Sequence, residues 1–359
     1  MPWRTRYAVA QRTLRLNGYS SDARMSLAFR VARPWQGPCP QRGESMTRQQ
    51  PAGWKDPSSH VSRFIAVGQD VRLEVLDWGG AGRPLVLLPG GGNTAHVFDD
   101  FAPKLTSDFH VYGITRRGFG ESGFAPLTSG ADTFGDDVLA VLDALKLERP
   151  VLMGHSIGGQ ELSSVATRYP NRVAALVYLD AAYPYAFENG KGPTMKEFLD
   201  LPDYPQPPPP AEADLASFDA LRQYHARVLG FTYPEGELYQ QRAVTPEGHM
   251  GRTRAFPGNE ALLAGTKQYV LMRVPALILV STSGSVGRWA DTSTDPMIRE
   301  QARAYTAAMT ALIERQTKSI EDGVPSARVV RLPGAHHYLF LSNEAEVLRE
   351  MRAFLGRLR

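Results

Sequence analysis

A serine framed by glycines is the strongest chemical signal in this chain. The run Val151-Leu152-Met153-Gly154-His155-Ser156-Ile157-Gly158-Gly159 passes from apolar residues into Gly-x-Ser-x-Gly, and an apolar-periodic segment, Glu161 to Tyr169, follows at once. Strand, sharp turn and helix in that order make a nucleophile elbow. A serine at such a turn has a strained backbone, so the residues two before and two after it need to lack a Cβ. Its hydroxyl then points away from the sheet. The amide of Ile157, at a helix N-terminus, is placed to stabilise a developing oxyanion. The plainer alternative is a glycine-rich turn whose serine only caps the helix.

A serine hydroxyl attacks an acyl carbon effectively only when a base takes its proton, typically a histidine oriented by a buried carboxylate. Four histidines follow Ser156, and His225 and His249 lie in a segment of different character. His336 and His337 lie in Pro333-Gly334-Ala335-His336-His337-Tyr338, directly after the last strand-like run. The small Gly334 and Ala335 let this loop fold back, which favours His337 as the base, with His336 as the fallback. Asp180 ends the apolar run before Ala181-Ala182, where a carboxylate needs a partner to be stable. The other loop that could carry the acid reads Ser281-Thr282-Ser283-Gly284-Ser285 and reaches no carboxylate until Asp291 and Asp295. Asp180 is therefore the expected acid; the alternative is that it only caps the sheet edge.

A second oxyanion donor is expected from Pro89-Gly90-Gly91-Gly92-Asn93, at Gly91. No Gly-Lys-Ser/Thr follows these glycines, so they are not a phosphate-binding P-loop. His155, Gly90 and Tyr183 are the expected substrate contacts. No metal and no cofactor is expected.

These residues need a frame that brings them together, and the hydrophobic pattern supplies one. Ser62–Val67 and Val71–Trp78 read as strands joined by a Gly68-Gln69-Asp70 turn. Pro84–Leu88 is a short apolar run of the kind buried on both faces of a parallel sheet. Then follow a helical segment near Phe98–Leu105, a strand His110–Thr115, a helix Thr133–Leu145, the strand into Ser156 with its helix, and a strand Val173–Leu179. The alternation predicts an α/β fold with a mostly parallel sheet covered by helices. It breaks over residues 183–268, where a proline run (Pro207 to Pro210) precedes helical patterns at Glu212–Leu229, Glu235–Arg242 and Asn259–Tyr269; this stretch is expected to be a helical cap. Alternation resumes with Val274–Ser281, a long helix through Ile298 and Ile320, the strand Ala327–Leu332 and a helix from Glu344. The expected division is a basic, poorly ordered extension over 1–58, core over 59–182, cap over 183–268, and core again over 269–359.

Composition limits the rest. With 359 residues, 43% hydrophobic and 21% charged, the chain can bury one large core or two modest ones. No apolar run reaches the roughly 18 residues of a membrane span, and a single cysteine, Cys39, rules out an internal disulfide. The net charge of +3 hides an asymmetry: residues 1–45 carry eight arginines against two acids, so the remainder is mildly acidic and offers no basic stripe for nucleic acid. Those 45 residues lack the apolar core of a secretory signal. They read as a disordered or targeting arm, or as sequence upstream of a true start at Met25 or Met46, and the expected location is cytoplasmic. The expected partner is a small-molecule substrate; the sequence says nothing of oligomeric state.

The loop Leu87-Leu88-Pro89-Gly90-Gly91, the turn Arg116-Arg117-Gly118-Phe119-Gly120-Glu121-Ser122, the Ser156 elbow and Gly334–His337 together resemble the α/β-hydrolase superfamily over about residues 62–357. Pro89 stands where a histidine is common, and the commonest acid loop is empty. His337, three after Gly334, matches the superfamily's usual histidine spacing, and Asp180 sits where some relatives place the acid. The resemblance implies a cofactor-free serine esterase acting on a small apolar ester. Carbon–carbon bond, lactone or perhydrolase chemistry at the same site, or a receptor-like binding protein, are the alternatives. Phe187, Phe198, Tyr204, Tyr224, Phe231, Tyr233 and Tyr239 suggest an aromatic pocket.

Overall fold

Short apolar runs separated by glycine turns become the strands of one eight-stranded sheet. A computed structural model describes residues 54–358 apart from 69, 126–129, 259–261, 263–266, 268 and 283–285. The strands β1 (Val61–Ala66), β2 (Arg72–Gly79), β3 (Arg83–Leu88), β4 (Phe109–Ile114), β5 (Val151–His155), β6 (Ala175–Leu179), β9 (Ala276–Ser281) and β10 (Ala327–Leu332) line up as β1-β2-β4-β3-β5-β6-β9-β10. In this sheet only the pairings of β2 with β1 and with β4 are antiparallel. Residues of β5, β6 and β9 are buried throughout, as continuous apolar runs require when helices cover both faces.

The strands in the order β3, β4, β5 fall on opposite sides of β3, which makes the junction of β3 and β5 a switch point where loops diverge and leave a crevice. Register aligns the strand ends there. Leu88 pairs with Gly154, His155 with Leu179, and Leu332 with Ser281. The residues that follow these strands therefore emerge at one edge.

The helices are α1 (Ala131–Ala144), α2 (Gly158–Arg168), α3 (Met195–Leu199), α4 (Phe218–Leu229), α5 (Glu235–Gln241), α6 (Arg288–Asp291), α7 (Pro296–Gly323), α8 (Leu339–Ser342) and α9 (Glu344–Leu355). Helix α7 turns Ala302, Tyr305, Met309, Leu312, Ile313 and Ile320 into the core, the stripe its spacing predicts. The expected helix near Phe98–Leu105 is instead two tight 3₁₀ turns, Ala95–Phe98 and Ala102–Leu105. Pro103 lacks an amide hydrogen and cannot continue an α-helix across them.

Between β6 and β9 the chain leaves the sheet for α3, α4, α5 and a small hairpin, β7 (Arg242–Val244) with β8 (Met250–Thr253). The sequence pattern gave no sign of that hairpin. Residues 204–211 take no regular structure, in keeping with four consecutive prolines. Most of the helix expected over 259–269, and the first 53 residues, lie outside the described residues. Trp54 is already docked: its ring stacks on Tyr239 with centroids 4.0 Å apart, and its indole N–H donates to Glu235 at 2.5 Å. The boundary expected at residue 58 thus falls inside a packed segment. Among the described residues, no helix is long and apolar enough to cross a membrane.

Candidate active site

Ser156 takes φ +51°, in the left-handed region that non-glycine residues avoid. The turn is held by its amide, which donates to the Leu179 carbonyl at 3.2 Å, and by the Gly159 amide, which donates to the Ser156 carbonyl at 2.9 Å. Cβ atoms on the flanking glycines would collide as the elbow motif predicts. On Gly154 a Cβ would lie 2.8 Å from the Gly158 backbone, and on Gly158 it would lie 2.8 Å from the Leu88 carbonyl. Ile157 follows the serine and Gly158 opens α2, so the Ile157 amide sits at a helix start as expected. Ser156 is 4% exposed.

Asp180, one residue past β6, also takes a positive φ, +47°. Strained conformations of this kind cost about 1–3 kcal/mol each and survive where surrounding contacts enforce them. Around Asp180 the contacts are explicit. Its amide donates to Leu279, Oδ1 accepts the Ser281 amide at 3.0 Å, and Oδ2 accepts the Tyr183 hydroxyl at 3.0 Å. Its remaining partner is His337, whose Nδ1 lies 2.6 Å from Oδ2. His337 reaches it because the loop after β10 turns at Gly334, φ +72°. Among the described residues, the buried His337 Nε2 has no hydrogen-bond partner.

The neighbouring histidine does something else. His336 Nδ1 accepts the Tyr338 amide at 3.2 Å, its ring packs on Phe231 at 4.9 Å, and burial followed by the nearby His337 pushes its pKa down to about 3. Asp291 lies exposed at the end of α6, and Asp295 caps α7 by accepting the Met297 amide at 2.8 Å. Among the described residues, neither shares a hydrogen bond or ion pair with His337.

The loop after β3 closes over the elbow. A Cβ on Gly90 would lie 2.7 Å from His155 Nδ1 and 3.1 Å from Ser156 Cβ, so only glycine permits this approach. Gly91 is buried in the same loop. Arg116 donates to the carbonyls of Pro89 at 2.7 Å and Gly90 at 3.3 Å while paired with buried Glu161. From the other side, the fully buried Glu237 of α5 accepts Asn93 Nδ2 at 2.9 Å, the Thr94 hydroxyl at 2.5 Å and the Thr94 amide. Burial pushes the Glu237 pKa up to about 7 against these donors. The Tyr338 hydroxyl donates to Asn93 Oδ1 at 2.8 Å. The glycine loop is therefore clamped by groups from three separate elements.

The expected substrate contacts have protein partners. His155 is buried, its Nε2 lies 3.1 Å from the His337 carbonyl, and burial, then the charge of His337, holds its pKa well below the usual histidine range. The Tyr183 hydroxyl is engaged by Asp180. Of the expected aromatics, Phe198 packs on Tyr183 at 5.4 Å, and Phe231 and Tyr233 pack on Tyr338 at 5.5 and 5.3 Å. Phe187 is core, and Tyr239 belongs to the Trp54 stack.

Sequence reasoning missed Tyr185, a buried residue whose ring lies 5.8 Å from that of Tyr183 and whose hydroxyl is pushed well above the usual tyrosine range by burial and then by the Asp180 charge. Its place two residues after Tyr183 was the available hint. It also missed Glu237, for which a short amphipathic helix gives no signal.

Comparison with known proteins places this chain in a family. The sequence matches the profile of the Alpha/beta hydrolase family over residues 85–350. A putative non-heme haloperoxidase of a Mycobacterium phage is 36% identical over 34% of this chain and 44% of its own length. A bifunctional esterase/perhydrolase of Acinetobacter calcoaceticus is 30% identical over 34% of this chain and 45% of its own. The chain thus spans less than half the length of these curated relatives. Among solved structures, an E-2-(acetamidomethylene)succinate hydrolase superposes with a TM-score of 0.57 at 18% identity, covering 83% of this chain and 99% of that one, a likeness of fold. With its sheet order, its glycine-framed serine turn and a match across most of its length, this chain belongs to the Alpha/beta hydrolase family.

Proposed function

We propose that this protein is a serine hydrolase that cleaves a carboxylic ester of a small, largely apolar substrate through an acyl-enzyme. One observation carries the reading: His337 is held by Asp180 at 2.6 Å through Nδ1, which leaves its buried Nε2 open for a proton. Ser156 Oγ attacks the ester carbonyl and its proton passes to Nε2. Asp180 steadies the resulting imidazolium, and its own remaining acceptor sites are filled by Ser281 and Tyr183, so it stays oriented. The amides of Ile157 and Gly91 hold the oxyanion; one such donor is worth about 3 kcal/mol of barrier. The carbon–oxygen bond to the alcohol then breaks as Nε2 returns the proton to the leaving oxygen. Water, deprotonated by the same nitrogen, attacks the acyl carbon and frees the acid and Ser156.

In this structure no hydrogen bond joins Ser156 to His337 Nε2. Catalytic hydrogen bonds are often loose before substrate binds. His155 and Tyr183 act as positioning residues, the first on the His337 backbone and the second on Asp180. Phe198, Phe231 and Tyr233 supply apolar surface for the acyl or alcohol group.

The esterase/perhydrolase relative favours a second reading at the same serine, in which hydrogen peroxide replaces water in deacylation and releases a peracid. Labelling with a fluorophosphonate, run beside hydrolysis of p-nitrophenyl esters of graded chain length with and without peroxide, separates these cases. The expected result is stoichiometric labelling of Ser156 and hydrolysis that Ser156→Ala lowers roughly 10⁴-fold or more. Folded protein whose Ser156 takes up no probe would overturn the assignment.

A further inference from the structure

We propose that Asp56, His60, His96 and Asp99 form a binding site for one divalent transition-metal ion, zinc by donor chemistry, that fastens the segment before β1 and the loop after β3 beneath helix α5. One potential ligand atom from each residue lies within 4.8 Å of the other three. The measured separations are 2.9 Å from His60 Nδ1 to Asp99 Oδ1, 3.0 Å from His96 Nδ1 to Asp99 Oδ2, 3.2 Å from His96 Nδ1 to Asp56 Oδ2, and 3.7 Å from His60 Nε2 to Asp56 Oδ2. These separations draw on both ring nitrogens of His60 and both oxygens of Asp99, so they show how compact the cluster is; closing one atom from each residue on an ion with bonds of about 2.0 Å would need edges of roughly 3.3 Å.

Two independent features point inward to an ion. Helix α5 passes over the cluster with Gly236. A Cβ there would lie 2.7 Å from Asp99 Oδ2, 2.9 Å from Asp56 Oδ2 and 2.9 Å from His96 Nδ1. Three donor atoms from three residues are thus nearly equidistant from one point, and only a glycine leaves the space beside it open. Behind the cluster, the other nitrogen of His96, Nε2, faces Glu74 Oε1 at 3.4 Å, and Glu74 Oε2 accepts the Thr115 hydroxyl at 2.8 Å. A carboxylate behind a ligating imidazole fixes its tautomer and orientation, as metal-bound histidines usually require.

Charge favours the same occupant. The side chains of His60, His96 and Asp99 are 3–5% exposed and that of Asp56 is 22% exposed. Among the described residues, the ion pairs made by Asp56 and Asp99 are all with these two histidines. The buried Asp99 carboxylate, the partly exposed Asp56 and the buried Glu74 close by concentrate negative charge that a cation would offset beyond what the histidines supply. Two imidazoles and two carboxylates suit zinc better than calcium or magnesium, which take mainly oxygen. Four protein ligands leave no open position, so the ion is structural, and none of the four belongs to the Ser156 site.

The test uses the full chain, stripped with a chelator, resupplied with zinc and desalted. Elemental analysis should find about one equivalent of zinc, and cobalt in its place should show the intense visible bands of a tetrahedral site. Zinc at a hundredfold over its Kd should raise Tm by roughly 5 °C. His96→Gln and Asp99→Asn should abolish both retention and the Tm shift, and Gly236→Ala should weaken them. If those variants do not fold, the metal count and cobalt spectrum of the unaltered protein decide alone. Wild-type protein that retains no metal and melts at the same temperature with zinc would overturn the proposal and leave a hydrogen-bonded cluster. Retention that survives both ligand substitutions would overturn it equally.

Discussion

The Nδ1 atom of His337 and the Oδ2 atom of Asp180 lie 2.6 Å apart although 157 positions separate the two residues in the chain. The carboxylate comes from the end of β6 and the imidazole from the loop after β10, with β9 between the two strands in the sheet. Ser281, at the end of that intervening strand, gives its amide to the same carboxylate. The end of β9 thus helps to hold a carboxylate supplied from the strand next door.

Asp180→Asn tests that relationship. An asparagine can present an amide N–H to Nδ1 and hold the wrong histidine tautomer, with Nε2 protonated and unable to accept from Ser156. Esterase kcat should fall about 10³–10⁴-fold with little change in the folded far-UV spectrum. Asp291→Asn and Asp295→Asn should leave kcat within a factor of two. Steady-state kinetics of the three variants decides, and an active Asp180→Asn would remove Asp180 from the mechanism.

The strain at Ser156 predicts an inversion of the usual order of alanine and glycine. With φ at +51°, alanine keeps the penalty of a Cβ while glycine releases it. Ser156→Gly should be more stable than Ser156→Ala by about 1 kcal/mol, a difference of roughly 2 °C in Tm. Thermal melts of the two inactive variants measure this. Equal melting temperatures would mean that the elbow relaxes when the hydroxyl is lost.

Buried neutral histidines should make the protein sensitive to acid. Burial, with Arg242 nearby, pushes the His225 pKa down to about 4, and burial pushes that of His336 down to about 3, from an ordinary 6.5. Between pH 6.5 and about 4 the unfolded chain binds these protons and the folded chain does not, so stability rises with pH across that window and is lost as pH falls. Each such histidine contributes up to about 1.4 kcal/mol per pH unit. His225 packs between the rings of Tyr224 and Tyr233, at 5.3 and 5.1 Å, so His225→Phe should fit. Denaturant unfolding at pH 5 and pH 7 should show a smaller difference for His225→Phe than for the parent protein. An unchanged difference would place the acid sensitivity elsewhere.

Much of this protein is local and hence readable in one dimension. The alternation of apolar runs with helical stripes specifies the parallel sheet, because burial on both faces leaves little room for polar residues in β5, β6 and β9. The Ser156 turn is readable because its constraint is steric and short-ranged: Gly154 and Gly158 stand where a Cβ would meet backbone at 2.8 Å. The choice of His337 over His336, and of Asp180 over Asp291 or Asp295, rested on position alone, since both members of each comparison can do the chemistry. Only the folded chain decides which imidazole faces which carboxylate.

What stayed hidden is long-range and polar. Glu237 clamps the glycine loop through Asn93 and Thr94, more than 140 positions away, and a glutamate on a short helix looks the same whether buried or solvated. His60 and His96 lie 36 residues apart with no motif between them, yet the turn after β3 and the segment before β1 set their rings 4.9 Å from each other. Nearest-neighbour sterics and hydrophobic period are written along the chain, and they determined the architecture and the turn at Ser156. The convergence of charged groups is written only in the packing of distant segments, because a buried charge finds its partner through space.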